Sequence, residues 1–206
     1  LTVGQPMEVA RCERLEQAYG IEAWSVGGTP TDSVKLYLEA IAGEKQPDLV
    51  ISGINHGANL ATDILYSGTV GAAMEGYLHD VNAMALSLDI NSQLSYDEAA
   101  ALFAADLSEF MQEEKQPFFF NINFPQFLKD ERAQYVFGRQ GKRDYINAFR
   151  KEERDGRTFY TMAGEIYDSD KGSATDIYAI ETGYISVTPL ITDLTDYVEL
   201  EERLRK

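Results

Sequence analysis

Three short runs of almost unbroken apolar residues constrain this chain most: PDLVIS at 47–52, VNAMALSLD at 81–89 and QPFFFNINFP at 116–125. Each is bounded by turn signals and is shorter than a buried helix, so each reads as a strand buried on both faces, as parallel strands are. Helical patterns lie between and around them. TDSVKLYLEAIAG, after Pro30, has apolar positions at Val34, Leu36, Tyr37, Leu38 and Ile41 and a stop at Gly43. TVGAAMEGYLHD carries small side chains that let a helix lie close to neighbouring backbone. SYDEAAALFAADLSEFMQEEK opens on a capping box, Ser95 with Glu98. AWSVGG at 23–28 and YISVTPL at 184–190 read as further strands, the second after a short capped helix, TDIYAIETG at 175–183. This alternation predicts an α/β fold, a Rossmann-like and mainly parallel sheet flanked by helices.

With 206 residues, 44% hydrophobic and 25% charged, the chain is expected to form a single α/β domain over 1–206. It contains no linker-like tract and no internal repeat. The character changes after residue 130. VFGRQGKRDYINAFRKEERDGRTFYTMAGE reads as irregular chain plus a hairpin turning at Asp155-Gly156, so 130–172 is expected to be a C-terminal arm used in oligomer contact. Arg139, Lys142 and Arg143 in that arm read either as a patch for an acidic neighbour or as solvated surface charge.

Acidic residues number 34 against 18 basic ones, a net charge of −16 that repels a long polyanion. Long DNA or RNA is therefore excluded as a partner, whereas a small phosphorylated ligand is not, because a bound divalent cation reverses the sign locally. A lone cysteine, Cys12, precludes an intrachain disulfide and suits the reducing cytoplasm; it reads as a small buried apolar side chain. No apolar run reaches the ~18 residues of a membrane span and no basic-then-apolar leader is visible, so no membrane partner is expected.

Chemistry concentrates at one joint, ISGINHGANLATDILYSGTVGAAMEG at 51–76. Ligands in open parallel sheets sit at the carboxyl ends of strands, and this loop leaves such an end. Gly53 and Gly57 permit a sharp turn and close approach to a ligand. Asn55 and Asn59 offer carbonyl oxygens suited to a hard cation and N–H groups suited to phosphate. Ser67-Gly68-Thr69 brings hydroxyls and free backbone N–H groups to the positive end of a helix starting near Val70. Each residue alone is also an ordinary turn or cap residue. Neither GxGxxG nor GxxxxGK[ST] is present, and composition and spacing alone stop at an anion site.

SGINHGANLATDILYSGTVGAAMEG resembles the hallmark segment of the SurE family, the survival-protein E nucleotidases, which are divalent-metal-dependent phosphatases of nucleoside monophosphates. GGTPTDSVKL at 27–36, NINFP at 121–125 and TDIYAIETGYISVTPL at 175–190 resemble the family in the same order. The resemblance implies a 5'/3'-nucleotidase with one Mg²⁺ or Mn²⁺ per subunit, acting as a homodimer or homotetramer. It gives Asn55 the place of a metal ligand, makes Asn55, Asn59, Ser67 and Thr69 the catalytic set, and assigns Ser67, Gly68 and Thr69 to the substrate phosphate. Thr29, Pro30, Thr31 and Asp32 match a stretch near the site with no assigned chemistry. His56 and His79 read as solvated, Asp63 as a brace for the loop, Glu75 as a packing residue and Tyr66 as a packed ring. The family pattern begins with a strand ending in Asn-Asp-Asp-Gly, whose aspartates bind the metal, and LTVGQPMEVARC resembles the stretch just after that first unit. A βαβ piece of roughly 30 or more residues is therefore expected upstream, and weak activity without it. The alternative is a non-catalytic nucleotide- or phosphate-binding or assembly module.

Overall fold

The computed structural model describes residues 1–112, 117–130 and 132–205. β1 (Val9–Arg11) and β2 (Trp24–Val26) pair antiparallel around α1 (Glu13–Tyr19), which ends on Gly20 in the left-handed region. α2 (Pro30–Leu36) starts on a capping box. The Thr29 hydroxyl accepts from the Asp32 N–H, the Asp32 carboxylate accepts from the Thr29 N–H, and Pro30 stands where no N–H is needed. Thr2 also donates twice to Asp32, so the TPTD stretch has a structural role, fixing the start of α2. A turn of π-helix, Tyr37–Ile41, carries the chain on to β3 (Leu49–His56).

A 3-10 turn, Ala61–Tyr66, leads into α3 (Gly68–Leu78), then β4 (Asn82–Leu88), α4 (Tyr96–Phe110) and β5 (Phe119–Phe124). α4 has the expected Ser95–Glu98 box, and the expected end of that helix at 113–115 lies outside the described residues. β6 (Tyr135–Phe137), β7 (Lys142–Ile146), β8 (Phe149–Arg154), β9 (Arg157–Met162) and β10 (Glu165–Asp170) follow, then α5 (Asp176–Glu181), β11 (Ile185–Pro189) and α6 (Tyr197–Leu204). Among the described residues, no helix is long and apolar enough to cross a membrane.

The main sheet runs β3-β4-β5-β11-β6, parallel throughout except where β11 lies antiparallel to β5. The strand alternation divides its two faces. Met84, Leu86 and Leu88 pack with Phe103 and Phe110 of α4 on one side, while Ala83 and Ala85 meet Val70 and Ala73 of α3 on the other. The expected closeness of α3 is real: a Cβ on Gly76 would stand 2.7 Å from the Cβ of Val50. The fold is α/β, a mainly parallel sheet flanked by helices. Two local expectations need correction. β3 is an edge strand, with Val50 its one buried residue, because its outer side has no sheet neighbour among the described residues. The region after 130 is not wholly an excursion either, since β6 closes the far edge of the sheet beside β11.

The arm proper is two successive antiparallel ribbons, β7 with β10 at its root and β8 with β9 at its tip. Asp155 and Gly156, both at positive φ, make the two-residue turn that the sequence signalled.

Candidate active site

β3 delivers Asn55 and His56 to its carboxyl end, where Gly57 at φ +105° turns the chain into the loop. The Asn55 amide nitrogen donates to the Gly57 carbonyl at 2.8 Å, and no described residue donates to its Oδ1. Gly57 has open space where a Cβ would stand. Gly53 does not: a Cβ there would lie 2.3 Å from the Leu86 carbonyl oxygen. Gly53 is therefore required by the neighbouring strand at the register shift of β3 and β4, and not by a ligand.

Asn59 is the hub of the loop. Its N–H donates to Asn123 Oδ1 at 2.8 Å, its amide nitrogen donates to Ser87 Oγ at 2.8 Å, and its carbonyl accepts from the amides of Asn121 and Asn123. All four residues are buried, so these bonds are formed away from competing water. Ser87, Asn121 and Asn123 were not singled out from the sequence. The signal was there: FFFNINF puts two amides on one face of an otherwise apolar strand, and a buried amide needs a partner.

Beyond Asn59, Ala61 takes φ 50° and its N–H donates to Asp176 Oδ2 at 2.7 Å. The other Asp176 oxygen accepts from the N–H groups of Gly141 and Ile177. Asp63 braces the loop, as expected, but against the arm: its carboxylate meets Arg143 at 3.2 Å and accepts from the Tyr145 hydroxyl at 2.8 and 2.9 Å. Arg143, whose side chain is 11% exposed, also donates to Asp168 at 2.7 Å. Burial opposes its charge, yet Asp168 and then Asp63 hold its pKa above the ordinary value. Arg139 meets Asp170 at 2.6 Å. Arg143 is thus buried and paired with both the loop and the arm, whereas Arg139 is an exposed charge paired within the arm.

The loop closes at Ser67, the N-cap of α3, whose Oγ accepts from the Val70 N–H at 3.1 Å. Gly68 and Thr69, the first two residues of α3, have no intrahelical carbonyl for their N–H groups. Asn55, Asn59 and Ser67 converge on one open cleft of about 320 Å³, together with His56, Asp63 and Tyr66. Gly68 and Thr69 stand next to it at the helix end but do not line it. Tyr66 is 88% exposed at its rim, not packed. His56 is exposed as expected, with Nδ1 2.9 Å from the Tyr96 hydroxyl. Half-buried Cys12 lies apart from this cleft.

For a divalent cation, the uncommitted Asn55 Oδ1 is a suitable hard oxygen ligand. Asp63 is the one carboxylate lining the cleft, and Arg143 and Tyr145 already occupy it. A second group, Glu39, Glu75 and His79, brings its ligand atoms within 4.8 Å of one another. There the Lys35 ammonium stands 2.6 Å from Glu39 and 2.9 Å from Glu75 and supplies the positive charge. Glu75 is thus a paired buried carboxylate, and His79 is half-buried between two acceptors and not solvated.

The family model for "Survival protein SurE" matches residues 1–147. Among curated proteins, the 5'-nucleotidase SurE of Natranaerobius thermophilus is 39% identical over 202 residues, which span 96% of this chain and 77% of the relative. That of Heliobacterium modesticaldum is 42% identical over 205 residues, 98% of this chain and 74% of the relative. The crystal structure of the SurE protein from Aquifex aeolicus superposes with a TM-score of 0.80 at 34% identity, covering 100% of this chain and 82% of that one. The loop between β3 and α3 is thus set in a fold shared with these proteins, and the chain belongs to the SurE family.

Proposed function

We propose that the chain is a hydrolase that releases phosphate from nucleoside monophosphates, a 5'/3'-nucleotidase with one Mg²⁺ or Mn²⁺ per subunit. The observation that carries this reading is the convergence of Asn55, Asn59 and Ser67 on one cleft at the N-terminus of α3. The names of the relatives, 5'-nucleotidase SurE, support the substrate class.

In this reading Asn55 Oδ1 would supply one oxygen ligand to the cation. When bound, a divalent ion would neutralise phosphoryl charge and lower the pKa of a water, so that hydroxide is available to attack. Ser67 keeps its hydroxyl proton for a phosphoryl oxygen, because its oxygen accepts from Val70. The N–H groups of Gly68 and Thr69 and the Thr69 hydroxyl stabilise the charge that grows on the equatorial oxygens, helped by the positive end of the eleven-residue α3. Asn59, clamped by Ser87, Asn121 and Asn123, anchors the loop between Asn55 and Ser67 to β4 and β5. The proposal extends to a cytoplasmic protein, on the strength of its single thiol, and to assembly of copies through the arm.

The test is phosphate release from adenosine monophosphate with and without chelator. Asn55→Ala and Ser67→Ala are each expected to lower turnover by about 10²-fold, the effect of losing one charge-stabilising group. Chelator-resistant turnover, or wild-type rates in both variants, overturns the reading. The engagement of Asp63 by Arg143 and Tyr145 favours a second reading, a module that binds the nucleotide without cleaving it. Binding of the monophosphate with no metal-dependent release distinguishes that case.

A further inference from the structure

Next to the cleft, and sharing Asp63 and Tyr66 with it, is a larger cavity of about 610 Å³. Its other walls are Tyr145, Ala148, Met162, Ala163 and Gly164, so it sits where the two ribbons of the arm join. The junction is tightly built. Ala163 donates its N–H to the Ala148 carbonyl at 3.0 Å, and a Cβ on Gly164 would stand 3.0 Å from Ala148 Cα and 3.1 Å from Tyr145 Cβ. Tyr145 is held by its hydroxyl on Asp63, and burial, followed by that carboxylate, keeps the phenol protonated by raising its pKa. The ring is therefore a fixed wall.

The chemistry of this cavity differs from that of the cleft. It has no lysine, arginine or histidine among its lining residues, and Arg143 behind it is neutralised by Asp63 and Asp168. A second phosphate finds no partner there. Two phenol rings, a thioether and three small residues instead make a slot for a flat, uncharged heterocycle, which stacks on aromatic faces. Its size falls within the range of small-molecule pockets. A nucleoside monophosphate separates its base from its phosphate by one sugar, and here the two compartments are separated by two shared side chains, Asp63 and Tyr66.

We propose that this cavity seats the nucleobase of the substrate whose phosphate enters the cleft, with Tyr66 and Tyr145 as the stacking surfaces. The assignment rests on the nucleotidase reading above. It also gives the arm root a part in substrate binding, and explains why Tyr66 is an exposed ring at the boundary of the two compartments.

Equilibrium binding measured by calorimetry with Mg²⁺ present tests it, using adenosine monophosphate, ribose 5-phosphate and adenosine on the whole chain. The monophosphate is expected to bind wild type about ten-fold tighter than ribose 5-phosphate, the share that stacking contributes. That ratio should fall toward one in Ala163→Trp, which fills the cavity from an exposed position, and in Tyr66→Ala, which removes a ring. If adenosine binds wild type and not Ala163→Trp while no phosphate is ever released, the base site stands and the nucleotidase reading falls. If ribose 5-phosphate and adenosine monophosphate bind equally, if the ratio survives both variants, or if none of the three ligands binds, the base site is overturned.

Discussion

Asp176 reaches the site from α5, over a hundred residues further along the chain, and fixes three backbone N–H groups at once: Ala61, Gly141 and Ile177. The residue is fully buried, so those donors have no water to turn to when the carboxylate is removed. Asp176→Ala is expected to lower unfolding free energy by about 3 kcal/mol, given ~1–3 kcal/mol for each orphaned buried group and some local relaxation. Asp176→Asn retains one carbonyl oxygen for Gly141 and Ile177 but turns an amide NH₂ toward the Ala61 N–H, and should lose less. Urea unfolding measures both, and faster hydrogen exchange at Ala61 should accompany the loss. Equal stability of the alanine variant and wild type would mean that the loop does not need this anchor. Of the residues that line the candidate cleft, Asn55, Asn59 and Ser67 stand out in the sequence because they lie within one short segment. Asp176, Asn121 and Asn123 were not legible, because which partner they take is decided when β5 and α5 pack against the loop, and the two amides of FFFNINF signal only that a partner is needed.

At the scale of elements, β4 and β5 were legible since all their residues are buried and the apolar runs say so directly. The position of β3 at the sheet edge was not, because an apolar run records burial propensity and not which neighbours the strand acquires. α6, entered through the Asp196 cap, was missed amid its many charges. A second arrangement between elements joins α2 to α3. His79 caps the end of α3, and its two ring nitrogens face the Glu75 carbonyl at 2.9 Å and the Glu39 carboxylate at 3.1 Å. Both partners accept, so the ring satisfies both only when it is protonated and donates from both nitrogens. The Glu75 carbonyl first, then the Glu39 and Glu75 carboxylates, raise its pKa against burial and Lys35. A folded-state pKa above the unfolded value of about 6.5 stabilises the fold fully below that value, and the contribution disappears as pH climbs through the raised folded value. His79→Gln should therefore cost more stability at about pH 5.5 than at a pH well above the raised folded value, where the wild-type ring has lost its proton. A loss that is the same at both pH values would show that the ring is uncharged in the fold.

For the whole molecule, the arm poses a problem that it cannot solve alone. A two-stranded ribbon is at best marginal in water, and every residue of β9 is exposed. Phe149, Phe159, Tyr160, Ile166 and Tyr167 are all about half exposed or more, and α6 adds Tyr197, Val198 and Leu204. Apolar surface grouped in this way on projecting elements marks contact with another protein surface. The proposal of a homodimer or homotetramer makes that surface a second copy of the chain. A charge of −16 on each copy opposes the union, and salt weakens that repulsion while leaving apolar burial intact. Light scattering should thus find an oligomer whose dissociation constant decreases as salt rises from about 0.05 M to about 0.5 M. Phe159→Asp with Tyr160→Asp puts charge on both faces of β9, and should leave monomers with an unchanged main sheet, read by circular dichroism. A wild-type chain that stays monomeric at high concentration in both salts would leave the exposed ribbon unaccounted for and remove the assembly proposal. If the double variant instead stays oligomeric, association runs through another surface, and α6 is the next to be charged.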